Sequence, residues 1–265
     1  MASPSATISP NAITRRFDAL RAASRRALVC YLTAGHPDLV RSRETLAAVD
    51  EAGADIIEVG VPFSDPIADG PVIQGSSHRA LANGVTFDRT LELVSTAEFG
   101  APVVLFSYLN PILAAGQSAL TRAVEAGVSG ILITDLPVGA DPAREEWLGS
   151  SDLAFIRLVA PTTPRERMAD IARHGSGFVY LISRLGVTGV QESVATSLPG
   201  SILRLRSATA LPICVGFGIA TPDQARAVGR LADGVVVGSA IVSAAEVSVE
   251  AVFKLVQSLR EALDG

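Results

Sequence analysis

Along the chain, short aliphatic runs alternate with longer stretches in which apolar positions recur every three to four residues. A run of four to eight aliphatic residues without polar alternation is how a strand buried on both faces of a parallel sheet reads. Eight such runs are present: Ala27 to Leu32, Ile56 to Val61, Val103 to Ser107, Gly130 to Thr134, Ala154 to Val159, Phe178 to Ile182, Pro212 to Val215 and Gly234 to Val237. Of the stretches between and after them, the last is the clearest helix, with Val249, Val252, Phe253, Val256 and Leu259 along one face. Thr163-Pro164-Arg165-Glu166 and Thr221-Pro222-Asp223-Gln224 predict two helix starts. Each offers a hydroxyl at the N-cap, proline at the first helical position and Glu or Gln three residues on.

Strand and helix alternating in this way build repeated βα units, and eight of them over residues 11–265 predict a single (β/α)8 TIM barrel of the α/β class. Ala12 to Ala23 predicts an extra N-terminal helix that closes the bottom of the barrel, and residues 1–10 read as a disordered tail. A doubly wound open sheet is the competing architecture. It more often carries a glycine-rich dinucleotide fingerprint after its first strand, which Thr33-Ala34-Gly35-His36-Pro37 does not match. In a barrel, function sits at the C-terminal ends of the strands and in the loops that follow them.

Composition narrows the field. The 265 residues are 48% hydrophobic and 5% aromatic, yet no apolar run approaches the roughly 20 residues needed to span a bilayer. Lys and Arg total 22 against 27 Asp and Glu, a net charge of −5, and no basic stripe interleaved with aromatics is present, which disfavours a nucleic-acid partner. Cys30 and Cys214 each lie inside an apolar run and read as small buried hydrophobes. His36, His78 and His174 are scattered without ligand spacing, so no metal site is expected. The N-terminal residues lack the apolar core of a signal peptide, and a cytoplasmic protein is the expectation.

Three features break the structural pattern. Glu58 interrupts the run Ile56-Ile57-Glu58-Val59-Gly60-Val61. An inward-facing carboxylate there has to be paired, protonated or used, and desolvation would suit it to proton transfer near neutral pH; the alternatives are a salt-bridged structural residue or one facing a helix edge. The following segment, Pro62 to Pro71, holds three prolines, a glycine, Asp65 and Asp69, and it can return Asp69 over the barrel mouth towards Glu58. Two carboxylates in different environments can divide acid-base work, although Asp beside Pro and Gly is also an ordinary turn or capping residue. Finally, glycines follow three consecutive strands, at Gly186-Val187-Thr188-Gly189, Gly216-Phe217-Gly218 and Gly238-Ser239. Their backbone N–H groups suit a phosphate, as the loops after strands 7 and 8 of barrels commonly do. Arg184 and Thr188 lie in a loop with glycine ends that predicts a mobile lid, and Tyr180 sits inside a strand.

The segment Ile57-Glu58-Val59-Gly60-Val61-Pro62-Phe63-Ser64-Asp65-Pro66-Ile67-Ala68-Asp69-Gly70-Pro71 resembles the diagnostic segment of the tryptophan synthase alpha chain family. The resemblance continues through Tyr108-Leu109-Asn110-Pro111, Thr134-Asp135-Leu136-Pro137, Tyr180-Leu181-Ile182-Ser183-Arg184, Gly186-Val187-Thr188-Gly189, Gly216-Phe217-Gly218-Ile219 and Gly238-Ser239-Ala240-Ile241-Val242. It implies retro-aldol cleavage of indole-3-glycerol phosphate to indole and D-glyceraldehyde 3-phosphate, without metal or organic cofactor. Glu58 would be the general acid and base, and Asp69 would hold the indole N–H. Tyr31 and Tyr180 would line the indole pocket; Gly189, Gly218, Gly238 and Ser239 would bind phosphate; and Thr188 would close over Asp69. It also implies a beta-chain partner in an alpha-beta-beta-alpha assembly that receives the indole, with Asp65, Pro66 and Asn110 on the shared face. A free-standing indole-3-glycerol phosphate lyase is the alternative, and it would share every catalytic residue.

Overall fold

Every strand carries apolar side chains on both faces, and the chain meets that demand by closing the sheet. The computed structural model describes residues 11–97, 100–183, 197–216 and 218–265, so the expected tail and the positions Arg184, Thr188 and Gly189 lie outside the described residues. In chain order the elements are α1 (Ala12–Ala22), β1 (Ala27–Thr33), α2 (Leu39–Glu51), β2 (Ile56–Gly60), α3 (Pro71–Ala82), α4 (Phe87–Ser95), β3 (Val103–Ser107), α5 (Leu109–Ala114), α6 (Ala119–Glu125) and β4 (Val128–Ile133). They continue as α7 (Pro142–Gly149), β5 (Ala154–Val159), α8 (Arg165–Arg173), β6 (Val179–Ile182), α9 (Leu198–Arg206), β7 (Ile213–Gly216), α10 (Pro222–Gly229), β8 (Gly234–Val237), α11 (Ser239–Val247) and α12 (Val249–Asp264). The strands pair in sequence order as a closed parallel barrel, with β8 hydrogen-bonded back to β1. The predicted TIM barrel is the observed fold.

Side-chain parity divides the core in two. Leu28, Cys30, Leu32, Ile57 and Val59 point outward and pack with helix residues such as Leu46, Val49 and Leu91. Val29, Tyr31, Ile56, Val104, Phe106, Ile156, Phe178 and Tyr180 point into the barrel. Because Ile57 and Val59 face the helices, Glu58 between them must face the lumen. The predicted N-terminal helix forms as α1 and plugs the bottom with Ile13, Phe17 and Leu20, the Phe17 ring lying 5.7 Å from that of Phe178.

Below Glu58, the bottom of β2 is tied by a charge network. Asp55 is buried and accepts from Leu28 N at 2.9 Å and from Arg260 Nη1 at 2.7 Å, and Arg16 Nη1 stands 3.9 Å away. Arg260 also donates to Asp264 from Nε and Nη2 at 3.0 and 2.7 Å. These contacts fasten α12 and α1 to the strand ends.

Of the two predicted helix caps, one forms as expected. Thr221 is the N-cap of α10, in a reciprocal capping box with Gln224. The Thr163 cap needs correction: α8 starts one residue later, with Pro164 at the N-cap position, and the Thr163 hydroxyl instead accepts from Ala160 N at 3.2 Å. Strand β4 begins at Val128, two residues before the expected Gly130, where its register against β3 shifts between Val103 and Val104. Among the described residues, no helix is long and apolar enough to cross a membrane.

Candidate active site

Glu58 sits in the middle of β2, its Cα paired with Tyr31 on one side and Val104 on the other. It is 1% exposed, and neither carboxyl oxygen has a hydrogen-bond partner among the described residues. Burial alone pushes its pKa up to about 8, because no nearby cation or donor offsets the loss of water. A carboxyl in this state holds its proton at neutral pH and can deliver it to a substrate atom inside the barrel.

The loop after β2 brings Asp69 to the same cavity. Its prolines and a set of local bonds fix its path: Asp69 N donates to Pro66 O at 3.1 Å, and Gln74 Nε2, in the first turn of α3, donates to Asp69 O at 2.9 Å. The Asp69 side chain does not cap α3, whose N-cap is Gly70. It instead accepts from the Tyr108 hydroxyl at 3.0 Å, and that hydroxyl accepts from Ala68 N at 2.9 Å. Burial raises the Asp69 pKa and the Tyr108 hydroxyl pulls it back. The Tyr108 ring packs 5.0 Å from that of Phe63. Asp69 is thus held from both sides of its loop, in an environment more polar than that of Glu58.

Two tyrosines frame the cavity, each seated over a glycine of the next strand. A β-carbon at Gly60 would collide with the hydroxyl and ring of Tyr31, and one at Gly216 would collide with those of Tyr180. Tyr31 Oη lies 3.3 Å from Thr33 Oγ1, which lies 2.6 Å from Ser76 Oγ. Ser76 gives its proton to Ile73 O at 2.8 Å, so Thr33 must donate to Ser76 and Tyr31 to Thr33. The Tyr31 ring also meets Phe106 edge-on at 5.1 Å.

Also lining the cavity, Gly218 has a φ of +85°, a left-handed conformation suited to glycine, and Gly238 and Ser239 open α11. Gly238 provides no side-chain cap, and the first turn of a helix leaves N–H groups without intrahelical partners, a ready anion site. Tyr31, Glu58, Asp69, Ile73, Tyr180, Gly218, Gly238 and Ser239 together line one cavity of about 150 Å³. A larger hollow of about 750 Å³ lies at the bottom beside α1. There Arg16 and Arg25 are engaged with Gly100 O and Asp264, and no group resembles Glu58 in being buried without a partner.

Residues 17–263 match the family model of the tryptophan synthase alpha chain. The chain belongs to the tryptophan synthase alpha chain family. Curated alpha chains agree: that of Gloeobacter violaceus is 48% identical over 90% of this chain and 88% of its own. The alpha chain of Desulfatibacillum aliphaticivorans is 44% identical over 95% and 97%. Among solved structures, tryptophan synthase from M. tuberculosis in an aminoacrylate-bound form superposes with a TM-score of 0.86 at 33% identity, covering 96% of this chain and 100% of that one. The Legionella pneumophila alpha subunit gives 0.86 at 35% identity, over 97% and 99%.

As a tryptophan synthase alpha chain, the protein is a lyase that cleaves indole-3-glycerol phosphate. Its barrel brings together seven of the expected residues: Glu58, Asp69, Tyr31, Tyr180, Gly218, Gly238 and Ser239. Asp65 and Asn110 are exposed outside the cavity and Pro66, in the same loop as Asp65, is buried, with Ser64 Oγ donating to Asp65 Oδ2 at 2.5 Å. Sequence reasoning did not assign the Tyr108 contact to Asp69, nor Phe106 and Ile73 as lining. Phe106 shares the inward parity of Val104 on β3, a signal that was available in the alternation. The Tyr108 bond joins residues 39 apart, and no local spacing announces it.

Proposed function

We propose that Glu58 and Asp69 carry the retro-aldol cleavage of indole-3-glycerol phosphate to indole and D-glyceraldehyde 3-phosphate. The observation that carries this reading is Glu58: a carboxyl 1% exposed, without partner among the described residues and protonated at neutral pH, facing the same cavity as Asp69 and the start of α11. The neutral Glu58 gives its proton to indole C3, making the ring an electron sink. Asp69 accepts the indole N–H and stabilises the positive charge that this step creates, a charge absent from the bound ground state. Glu58, now a carboxylate, removes the proton of the glycerol hydroxyl on the carbon attached to C3. The bond to C3 breaks, its electrons return to the indole ring, and the hydroxyl carbon becomes the aldehyde. Glu58 ends as it began, protonated, so a single carboxyl serves as acid and then as base.

Tyr31 and Tyr180 hold the indole ring between them. Gly218, Gly238 and Ser239 receive the phosphate at the start of α11, and Gly189 and Thr188, outside the described residues, join the phosphate site and the closure over Asp69. The reaction takes place in the cytoplasm, and its indole passes to a beta chain docked over the exposed Asp65 and Asn110, with Pro66, expected on the same face, buried between Asp65 and Ile67 in the loop.

The test is indole release from indole-3-glycerol phosphate by the purified chain, with and without a beta chain. Glu58→Gln should lower kcat by about 10³-fold and Asp69→Asn by about 10²-fold. Wild-type turnover in Glu58→Gln would overturn the mechanism.

A further inference from the structure

Two helices bring their N-terminal ends to the pocket. The helix α3 begins two residues after Asp69, and α11 begins at Ser239. Their far ends are clipped together by one carboxylate. Arg79, in the last turn of α3, donates from Nη1 to Glu246 Oε2 at 2.7 Å. The other Glu246 oxygen stands 3.2 Å from Nε2 of His36, a buried ring in the turn after β1. That turn is itself joined to the end of α3, where Asn83 Nδ2 donates to Pro37 O at 2.9 Å. From the α2 side, Arg41 Nη1 reaches the Glu246 carbonyl at 3.5 Å. The helices α3 and α11 also pack on each other and on β1.

Both partners of the Arg79–Glu246 pair are about half exposed, and a pair of that exposure adds little to global stability. Its geometric effect is larger. Through one side chain Glu246 bonds α11 to Arg79 of α3 and stands against His36 in the turn after β1, and these segments bear the two ends of the pocket. We propose that Glu246 is a positioning residue, holding Asp69 in register with the N-terminus of α11 so that a substrate spanning both is bound in a reactive pose. The inference rests on the function proposed above. A molecule that reaches both ends is sensitive to small changes in their spacing, since misplacement by about 1 Å can cost 10²-fold in rate. A ligand confined to one end is indifferent to that spacing.

This difference supplies the test. The full chain and the variants Glu246→Ala, Arg79→Met and the double variant are assayed for cleavage of indole-3-glycerol phosphate. Inorganic phosphate and indole serve as inhibitors that each occupy one end. The expected result is a fall of about tenfold in kcat/KM for each single variant, with the double variant no worse than either. The inhibition constants for phosphate and for indole stay within twofold of wild type, and Glu246→Gln, which keeps an acceptor for Arg79, loses less than Glu246→Ala. The proposal is overturned if kcat/KM stays within twofold of wild type, if the double variant loses the sum of the two, or if the fragment constants weaken in step with turnover. A wild-type chain that released no indole would overturn the proposed function, and this inference with it; active wild type beside equally active variants would overturn the inference alone.

Discussion

Asp55 and Glu58 lie three positions apart in the chain, at the foot and in the middle of one strand. Both are buried, at 4% and 1% exposure, and burial pushes both pKa values up. Their surroundings then diverge. Asp55 is answered by Leu28 N and Arg260, with Arg16 nearby, all of which favour its charged form. Glu58 is answered by nothing among the described residues. The barrel therefore uses the same functional group as a fastener at its closed end and as a proton reservoir at its open one. Burial does not decide between these roles; the supply of donors does.

The sharpest way to break this comparison is to remove each carboxylate and read stability and turnover separately. Glu58→Gln should lose turnover by the large factor given above while melting no lower than wild type, because no bond is lost and the cost of keeping a buried carboxyl protonated at neutral pH is removed. Asp55→Ala should do the reverse. It strips the acceptor from a buried N–H and one anion from Arg260, which keeps Asp264, so the expected loss is about 3 kcal/mol in denaturant unfolding. Turnover per folded molecule should stay near wild type. Equal losses of stability in the two variants would erase the distinction.

A second prediction uses pH. The folded-state pKa of Glu58, about 8, lies above its ordinary value of 4.5. Between those values the folded chain keeps a proton that the unfolded chain has lost. The associated stability is fully present below the lower value and disappears as pH rises through the upper one, at up to about 1.4 kcal/mol per pH unit. Glu58→Gln lacks this dependence. The stability advantage of the variant should widen from pH 5 to pH 8 and then level, as measured by unfolding midpoints across that range. An advantage that stays flat with pH would show that Glu58 finds a partner after all.

The smallest effect concerns Asp69, which stands between the two extremes because Tyr108 partly answers it. Tyr108→Phe removes a donor that lowers the Asp69 pKa, so that pKa should rise. The acid limb of the kcat/KM profile should then move to higher pH, with a loss of about tenfold near neutrality. A profile that falls uniformly without moving would point to misplacement of the loop and not to the charge of Asp69.

Much of this was legible in the residues. The eight aliphatic runs became the eight strands, and the single carboxylate in the second run stood out from its neighbours, although only the outward packing of Ile57 and Val59 settled that it faces the lumen. Of the expected helix face, Val252, Val256 and Leu259 are buried, while Val249 and Phe253 are only partly so. Most of what escaped depends on contacts across the chain, with one local exception. Thr163 looked like a cap, but its hydroxyl was claimed by Ala160 N, within its own turn. Asp55 carries no mark of its role, since its partners are 27 and 205 residues away. Gly60 and Gly216 gave no hint that each is matched to a tyrosine ring.

That last matching bears on how such a pocket can change over time. Each glycine is the negative of one tyrosine, so neither position is free to vary while its counterpart stays. A side chain at 60 requires a smaller ring or a shifted one at 31, and the same holds for 216 with 180. Single-residue saturation at either glycine would sample almost nothing but collisions. Libraries that vary 31 with 60, or 180 with 216, open routes to a differently shaped indole that one-step substitution leaves closed.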